Sequence, residues 1–225
     1  MLNQHIKINQ LDVLSKKVSS NNDVLLIEKN HRLMVDGNEY AIQGIAQCSE
    51  DLIQGFLYDK VGCNRQCRIE NIDGVYRVDP SPEVVLSLNP LDIHPLQLQH
   101  DHVVNWVGMF RDGQSLYRQT GATHSVGVCL QNKQIHTIEC IDTPSAIYKM
   151  LGRLLKNQTA YYPVLLLSHR LMMSQVPLIL KLRPAVLICQ SAITASALSA
   201  LVKENITVFG FCRKRKFNRY SNFHL

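Results

Sequence analysis

The sequence predicts an α/β fold. Residues Ala185-Val186-Leu187-Ile188-Cys189 form a short apolar run of strand type, and Ile206-Thr207-Val208-Phe209 is a second, β-branched and aromatic run. Between them lies a helical segment in which Ser191 and Thr194 can each cap the start. Ala195, Ala197, Leu198, Leu201 and Val202 would fill its buried face, and Asn205 would cap its end. Strand, helix, strand with so short a crossover predicts parallel strands joined in the right-handed sense. The composition agrees: 225 residues with 46% apolar and 19% charged side chains suffice for one domain, or for a domain with a small satellite.

In chain order, residues 1–22 are polar and predict a loose lead-in. Val24-Leu25-Leu26-Ile27-Glu28 is a strand candidate. Arg32–Val35 and Glu39–Ile42 read as a hairpin, because Asp36-Gly37 supplies the positive φ angles of a tight turn. Ser49 can cap a helix with Leu52, Ile53, Phe56 and Leu57 on one face, and Glu50 and Asp51 suit its amino end. Residues 1–78 are thus expected to form a β-rich N-terminal subdomain with one helix, and residues 79–225 an α/β core. In the core, a helix from about Asp101 to Phe110 presents Val103, Val104, Val107 and Phe110. Val126–Leu130 and Ile135–Ile141 make a hairpin around Gln131-Asn132-Lys133-Gln134. Thr143 and Pro144 then read as cap and first residue of a helix with Ala146, Ile147, Met150, Leu151, Leu154 and Leu155 on one face. Leu171–Arg183 would be a further helix, kinked by Pro177 unless that residue lies near an end.

Parallel strands place their carboxyl ends, and the amino end of the crossover helix, on one edge of the sheet, where an anion is favoured. The second strand leaves that edge into Arg213, Lys214, Arg215, Lys216 and then Arg219, which points to a phosphate or nucleotide site. The formal charge is +6, and removing those five cations leaves +1, so the basic balance is local and argues against a broad nucleic-acid footprint.

At these positions the residues resemble a family. Ser168-His169-Arg170, Ser191-Ala192-Ile193-Thr194 and Gly210-Phe211-Cys212-Arg213 through Tyr220 look like the carboxy-terminal signature of the formate dehydrogenase accessory (FdhD) family. Thr120-Gly121-Ala122-Thr123-His124 resembles the family's Thr-Gly-Gly-x-His element, Gly55-Phe56-Leu57 its Gly-Phe-Leu, and Lys149 with Gly152 its Asp-Lys-x-x-Gly continuation. The resemblance implies a three-layer mixed sheet like that of cytidine deaminases, a homodimer, and sulfur transfer to the molybdenum cofactor before its insertion into formate dehydrogenase. A cysteine desulfurase and the catalytic subunit of formate dehydrogenase are the implied partners. The implied ligand is the molybdenum bis(molybdopterin guanine dinucleotide) cofactor, held by Phe211, Cys212, Arg213, Lys214, Arg215 and Lys216, with His124, Ser191 and Thr194 nearby.

The chain departs from the pattern where the family carries its persulfide. The tract Val84-Val85-Leu86-Ser87-Leu88-Asn89-Pro90-Leu91-Asp92-Ile93-His94 contains no cysteine, so a relay through that position is chemically impossible. The family's Arg-His dipeptide is replaced by Thr143-Pro144, and its later Glu and Lys by Ser174 and Leu178. No catalytic residue is therefore assigned, and whether the chain is an enzyme stays open. A degenerate paralogue that binds cofactor, nucleotide or partner without moving sulfur is one alternative; nucleic-acid binding through Arg213–Arg219 is another. Cys63 and Cys67 miss the Cys-x-x-Cys redox spacing and lack a second pair for zinc, so they read as structural or incidental thiols. Asp92, His94, His100, Asp101 and His102 lie in an expected loop and make no metal site. The zinc deaminase motif, a Gly-rich phosphate loop and a Gly-x-Ser-x-Gly elbow are all absent. Seven cysteines without framework spacing, no signal-peptide core and no membrane-length apolar run predict a reduced, cytoplasmic protein.

Overall fold

The computed structural model describes residues 3–46, 48–92, 98–213 and 216–221, except for the side chains of Pro82 and Glu83. Its first element corrects the expectation of a loose lead-in. Strands β1 (Asn3–Leu11) and β2 (Val18–Leu26) form an antiparallel hairpin, in register from Asn3 opposite Leu26 to Leu11 opposite Val18. The Asp12 carboxylate shapes its turn, accepting the Leu14 and Ser15 amides at 2.9 Å each. A two-stranded ladder satisfies its own backbone without burying much, so polar composition does not forbid it. The strand expected at Val24–Glu28 is divided at Ile27 between β2 and β3.

Strands β3 (Glu28–Val35), β4 (Asn38–Ile45), β5 (Arg65–Ile72) and β6 (Val75–Val85) build a sheet in the order β4-β3-β6-β5, with β3 and β6 parallel. The β3–β4 turn is the expected one, with Asp36 at φ 47° and Gly37 at φ 77°. Helix α1 (Glu50–Phe56) starts at Ser49, whose hydroxyl accepts the Leu52 amide at 3.2 Å. It runs into one π-helical turn, Leu57–Val61, which Gly62 ends at φ 70°. Strand β6 crosses the 78/79 boundary named from sequence.

The larger sheet is mixed. It runs β13 (Lys216–Arg219), β12 (Thr207–Arg213), β11 (Val186–Cys189), β10 (Ala160–Leu167), β8 (His124–Leu130), β9 (Ile135–Cys140), and the short β7 (Asn89–Pro90) also pairs with β10. β10, β11 and β12 are parallel, as expected, while β8 is antiparallel to β10. Alternation along the strands splits the core in two. Leu165, Leu167, Leu187 and Val208 pack with α4 (Thr143–Asn157), α5 (Val176–Leu180) and α6 (Ala195–Lys203). Val164, Leu166, Val186, Ile188 and Phe209 pack with Val103, Val107 and Phe110 of α2 (His100–Asp112). Helices thus cover both faces of a mixed sheet, the expected α/β class. The smaller sheet joins the first of these cores through Leu33, Val35 and Ile42.

Local corrections follow from the caps. Asp142, not Thr143, caps α4: its carboxylate accepts the Ser145 amide at 2.7 Å, so the helix starts one residue earlier and Thr143 and Pro144 fall within its first turn. Pro177 sits in the first turn of α5, after a 3-10 turn at Met173–Gln175, where its missing N–H costs nothing and no kink results. On α6 only Ala197 and Leu201 are fully buried; Ala195 and Val202 are exposed, because a nine-residue helix on this edge buries one narrow i, i+4 stripe. Asn205, in the left-handed region at φ 57°, comes one residue past the cap. His100 and His102 lie in the first turn of α2 rather than in a loop, while His94 is outside the described residues.

Helices α1 and α4 cross at Gly55 and Gly152. A Cβ on Gly55 would collide with the Tyr148 carbonyl, and one on Gly152 with the Asp51 carbonyl. Arg153–Asp51 at 2.7 Å and Lys156–Glu50 at 2.6 Å fix the same crossing from its rim. Among the described residues, no helix is long and apolar enough to cross a membrane.

Candidate functional site

The carboxyl ends of β10, β11 and β12 and the start of β8 meet at one sheet edge. A cavity of about 870 Å³ opens there. Its walls come from the segment joining α2 to α3 (Ser115–Thr120), with Arg111, Gln114, Tyr117 and Arg118, and from the strand ends, with His124, Ser168, His169, Gln190, Cys212 and Arg213.

The floor is set by ladder register. Continuing the β8–β10 pairing past Val126 and Leu167 brings Ser125 opposite Ser168 and His124 opposite His169. The Ser168 amide donates to the Ser125 carbonyl at 3.2 Å, and the Ser125 amide donates to the Ser168 hydroxyl at 2.8 Å. The two imidazoles therefore meet edge to face, with centroids 5.4 Å apart. His169 is 7% exposed, and neither ring nitrogen has a hydrogen-bond partner among the described residues. Burial, followed by the neighbouring His124, pushes its pKa from 6.5 down to about 4, so it is neutral at physiological pH.

One buried carboxylate holds the wall. Glu139 of β9 accepts the Leu116 and Tyr117 amides at 2.8 Å each and the Thr123 hydroxyl at 2.8 Å, anchoring α3 and the loop before His124. Across the cavity, Gln114 Nε2 donates to Gln190 Oε1 at 3.2 Å, and Arg213 Nε donates to the Gln190 carbonyl at 3.1 Å. The β12–β13 register shifts between Gly210 and Arg213, and Phe211 takes φ 51° there. This irregularity turns Phe211 outward, 45% exposed, while Cys212 is buried and Arg213 reaches the cavity. Burial, then the neighbouring Cys189, pushes the Cys212 thiol up to about 12, so it stays protonated.

Of the residues named from sequence, His124, Cys212 and Arg213 line this cavity. Phe211 stands outside its lining, its amide donating to the Ser191 carbonyl at 3.1 Å. Ser191 and Thr194 lie behind the strand ends, outside the lining, and Thr194 is the N-cap of α6 without a side-chain capping bond. Lys216 faces a separate depression with His100 and Phe217, and Lys214 and Arg215 are outside the described residues. Sequence reasoning did not select His169, Gln190 or Gln114. The first two were findable, since His169 comes two residues and Gln190 one residue past an apolar strand run at the ligand edge; Gln114 carries no local signal. Three guanidinium groups, two carboxamides and a neutral imidazole can hold a polar, anionic ligand with hydrogen-bonding edges.

The chain is similar to known proteins. Over 129 residues the chain is 29% identical to the sulfur carrier protein FdhD of Listeria innocua, covering 57% of this chain and 49% of that one. It is likewise 29% identical over 123 residues to the protein of the same name from Shewanella oneidensis, covering 54% and 44%. The matched stretch therefore spans about half the length of these curated relatives. The fold matches a crystal structure provisionally described as a formate dehydrogenase accessory protein, from Desulfotalea psychrophila. Its TM-score is 0.79 at 15% identity, over 99% of this chain and 98% of that one. The profile of the FdhD/NarQ family matches residues 60–224, which include both cavity walls and the floor, and the chain belongs to that family.

Proposed function

We propose that this protein is a formate dehydrogenase accessory protein that supports sulfur transfer to the molybdenum cofactor before its insertion into formate dehydrogenase. Family membership supports the role, and the cavity supports the ligand. One observation carries the latter: a buried, neutral His169, its two ring nitrogens unpartnered among the described residues, lines the same cavity as Arg111, Arg118 and Arg213. Buried polar atoms without partners are rare in folded proteins; two of the seven among the described residues are these ring nitrogens. These residues fit the phosphate and guanine end of the bis(molybdopterin guanine dinucleotide) cofactor. Arg213 and Arg118 would neutralise its phosphates, and Gln190 and Gln114 would read its base. The cofactor supplies the metal centre that receives sulfur. A cysteine desulfurase, the catalytic subunit of formate dehydrogenase, a homodimer and a cytoplasmic location complete this reading.

A second reading is favoured by the thiols: the protein binds the cofactor but does not relay sulfur itself. The tract before α2 has no cysteine, and Cys212 in the cavity is a buried, protonated thiol. Calorimetric titration with guanosine diphosphate tests the pocket shared by both readings. Micromolar binding that Arg213→Ala weakens about tenfold, the effect of one lost charge-assisted contact, is expected. Absence of saturable heat overturns both. Mass spectrometry after incubation with a cysteine desulfurase and cysteine separates them, since a persulfide on any thiol supports transfer and its absence supports binding alone.

A further inference from the structure

The spacing of Cys63 and Cys67 argued against a redox pair, but the fold brings their sulfurs to 3.6 Å. On an extended strand, four residues would separate them by about 13 Å. Gly62, at φ 70°, turns the chain as it leaves the π-helical turn, and β5 shifts register against β6 between Arg65 and Cys67. The backbone on either side is held firmly. The Cys63 amide donates to the Leu57 carbonyl at 3.1 Å, and the Leu86 amide to the Asn64 carbonyl at 2.6 Å. Gln54, fully buried, donates to the Arg65 carbonyl at 2.9 Å and accepts the Cys67 amide at 3.1 Å. Both thiols remain partly accessible.

We propose that Cys63 and Cys67 form a dithiol–disulfide couple, a redox site separate from the cavity and independent of its ligand. Three features carry it: two sulfurs in contact, a backbone clamped around them, and access from solvent. A disulfide needs sulfurs about 2.0 Å apart, a closure of about 1.6 Å that side-chain rotation supplies. A metal fits less well, because no group of three or more Cys, His, Asp or Glu side chains among the described residues is placed to hold one. The oxidant is a low-molecular-weight disulfide. The Cys63 thiolate attacks one of its sulfurs, breaking that S–S bond; a mixed disulfide forms and one small thiol leaves, taking a proton from water. Cys67 loses its proton to water and attacks the Cys63 sulfur, expelling the second small thiol. Two protein thiols are oxidised by two electrons and one small disulfide is reduced to two thiols. Burial, then the neighbouring Cys63, pushes the Cys67 thiol up to about 12, which keeps its thiolate scarce, so the second step relies on the closeness of the two sulfurs rather than on a ready thiolate.

The test equilibrates the full chain in glutathione redox buffers of graded ratio, folded and in urea. Free thiols are then blocked and the protein is digested with trypsin. Lys60, Arg65 and Arg68 are cleavage points, so the disulfide links peptide 61–65 to peptide 66–68. The linked pair should dominate in the folded protein. Its midpoint should lie at least about tenfold further toward the reduced buffer than in urea, a shift of about 30 mV. Cys67→Ser should instead trap glutathione on Cys63. Equal midpoints in both conditions, or preferential linkage of either cysteine elsewhere, would overturn the proposal.

Discussion

The α1–α4 crossing and the strand-end cavity use buried space in opposite ways. At the crossing, backbone touches backbone through Gly55 and Gly152, and Leu52, Ile53, Leu151 and Leu154 fill the surroundings completely. At and beneath the cavity, Ser125 Oγ and both His169 nitrogens are buried without hydrogen-bond partners among the described residues, and charged groups face open volume. Close packing stores stability, whereas unsatisfied polarity stores affinity that an occupant can release. The contrast predicts which substitutions damage the fold and which damage binding.

The largest effect belongs to the crossing. Gly152→Ala pushes a methyl group into a main-chain carbonyl that cannot rotate away, so it should cost about 3 kcal/mol or more, seen as a lowered urea midpoint. Acid comes next. His169 has a folded pKa of about 4 against 6.5 when exposed, so between these values the unfolded chain binds a proton that the folded chain refuses. Stability from this group is complete above about pH 6.5 and declines as pH falls toward 4, by about 3 kcal/mol in all. The loss in wild type relative to His169→Gln, measured by denaturant titration at both ends of the window, checks the sign. Glu139→Ala should cost about 2 kcal/mol and remove hydrogen-exchange protection at Leu116 and Tyr117, whose amides would lose their acceptor. Arg213→Ala should be smallest in stability, within about 0.5 kcal/mol, while weakening nucleotide binding about tenfold. A reversed order, with Arg213→Ala unfolding the protein and Gly152→Ala tolerated, would dissolve the distinction.

Elements set by neighbours in sequence were legible. The Asp36-Gly37 hairpin, the Ser49-capped helix, the β8–β9 hairpin and the parallel crossover each follow from local turn chemistry and periodicity. The β1–β2 hairpin was not legible, because its pairing buries little and leaves no apolar alternation. Part of the cavity lining was legible too: His124, Cys212 and Arg213 follow from the ligand edge of a parallel sheet and from motif resemblance. The remainder depends on pairings that no local pattern encodes. His169 joins the cavity only opposite His124, Gln114 only across from Gln190, and Cys63 meets Cys67 only where Gly62 turns the chain and Gln54, on another element, holds the loop.

The paired serines beneath the cavity have a kinetic consequence. Residues 125 and 168 are 43 positions apart, and their two hydrogen bonds set the register that aligns the histidines. A slip of one residue would send one imidazole to the opposite face. Closing this loop costs more entropy than closing the short β8–β9 turn, so the pairing is expected to form after that hairpin. Collapsed states that form earlier can contain α4 and the β8–β9 hairpin yet lack a pocket. Ligand capture during refolding would therefore trail the recovery of helical signal, making the cavity a clock for the last step of assembly.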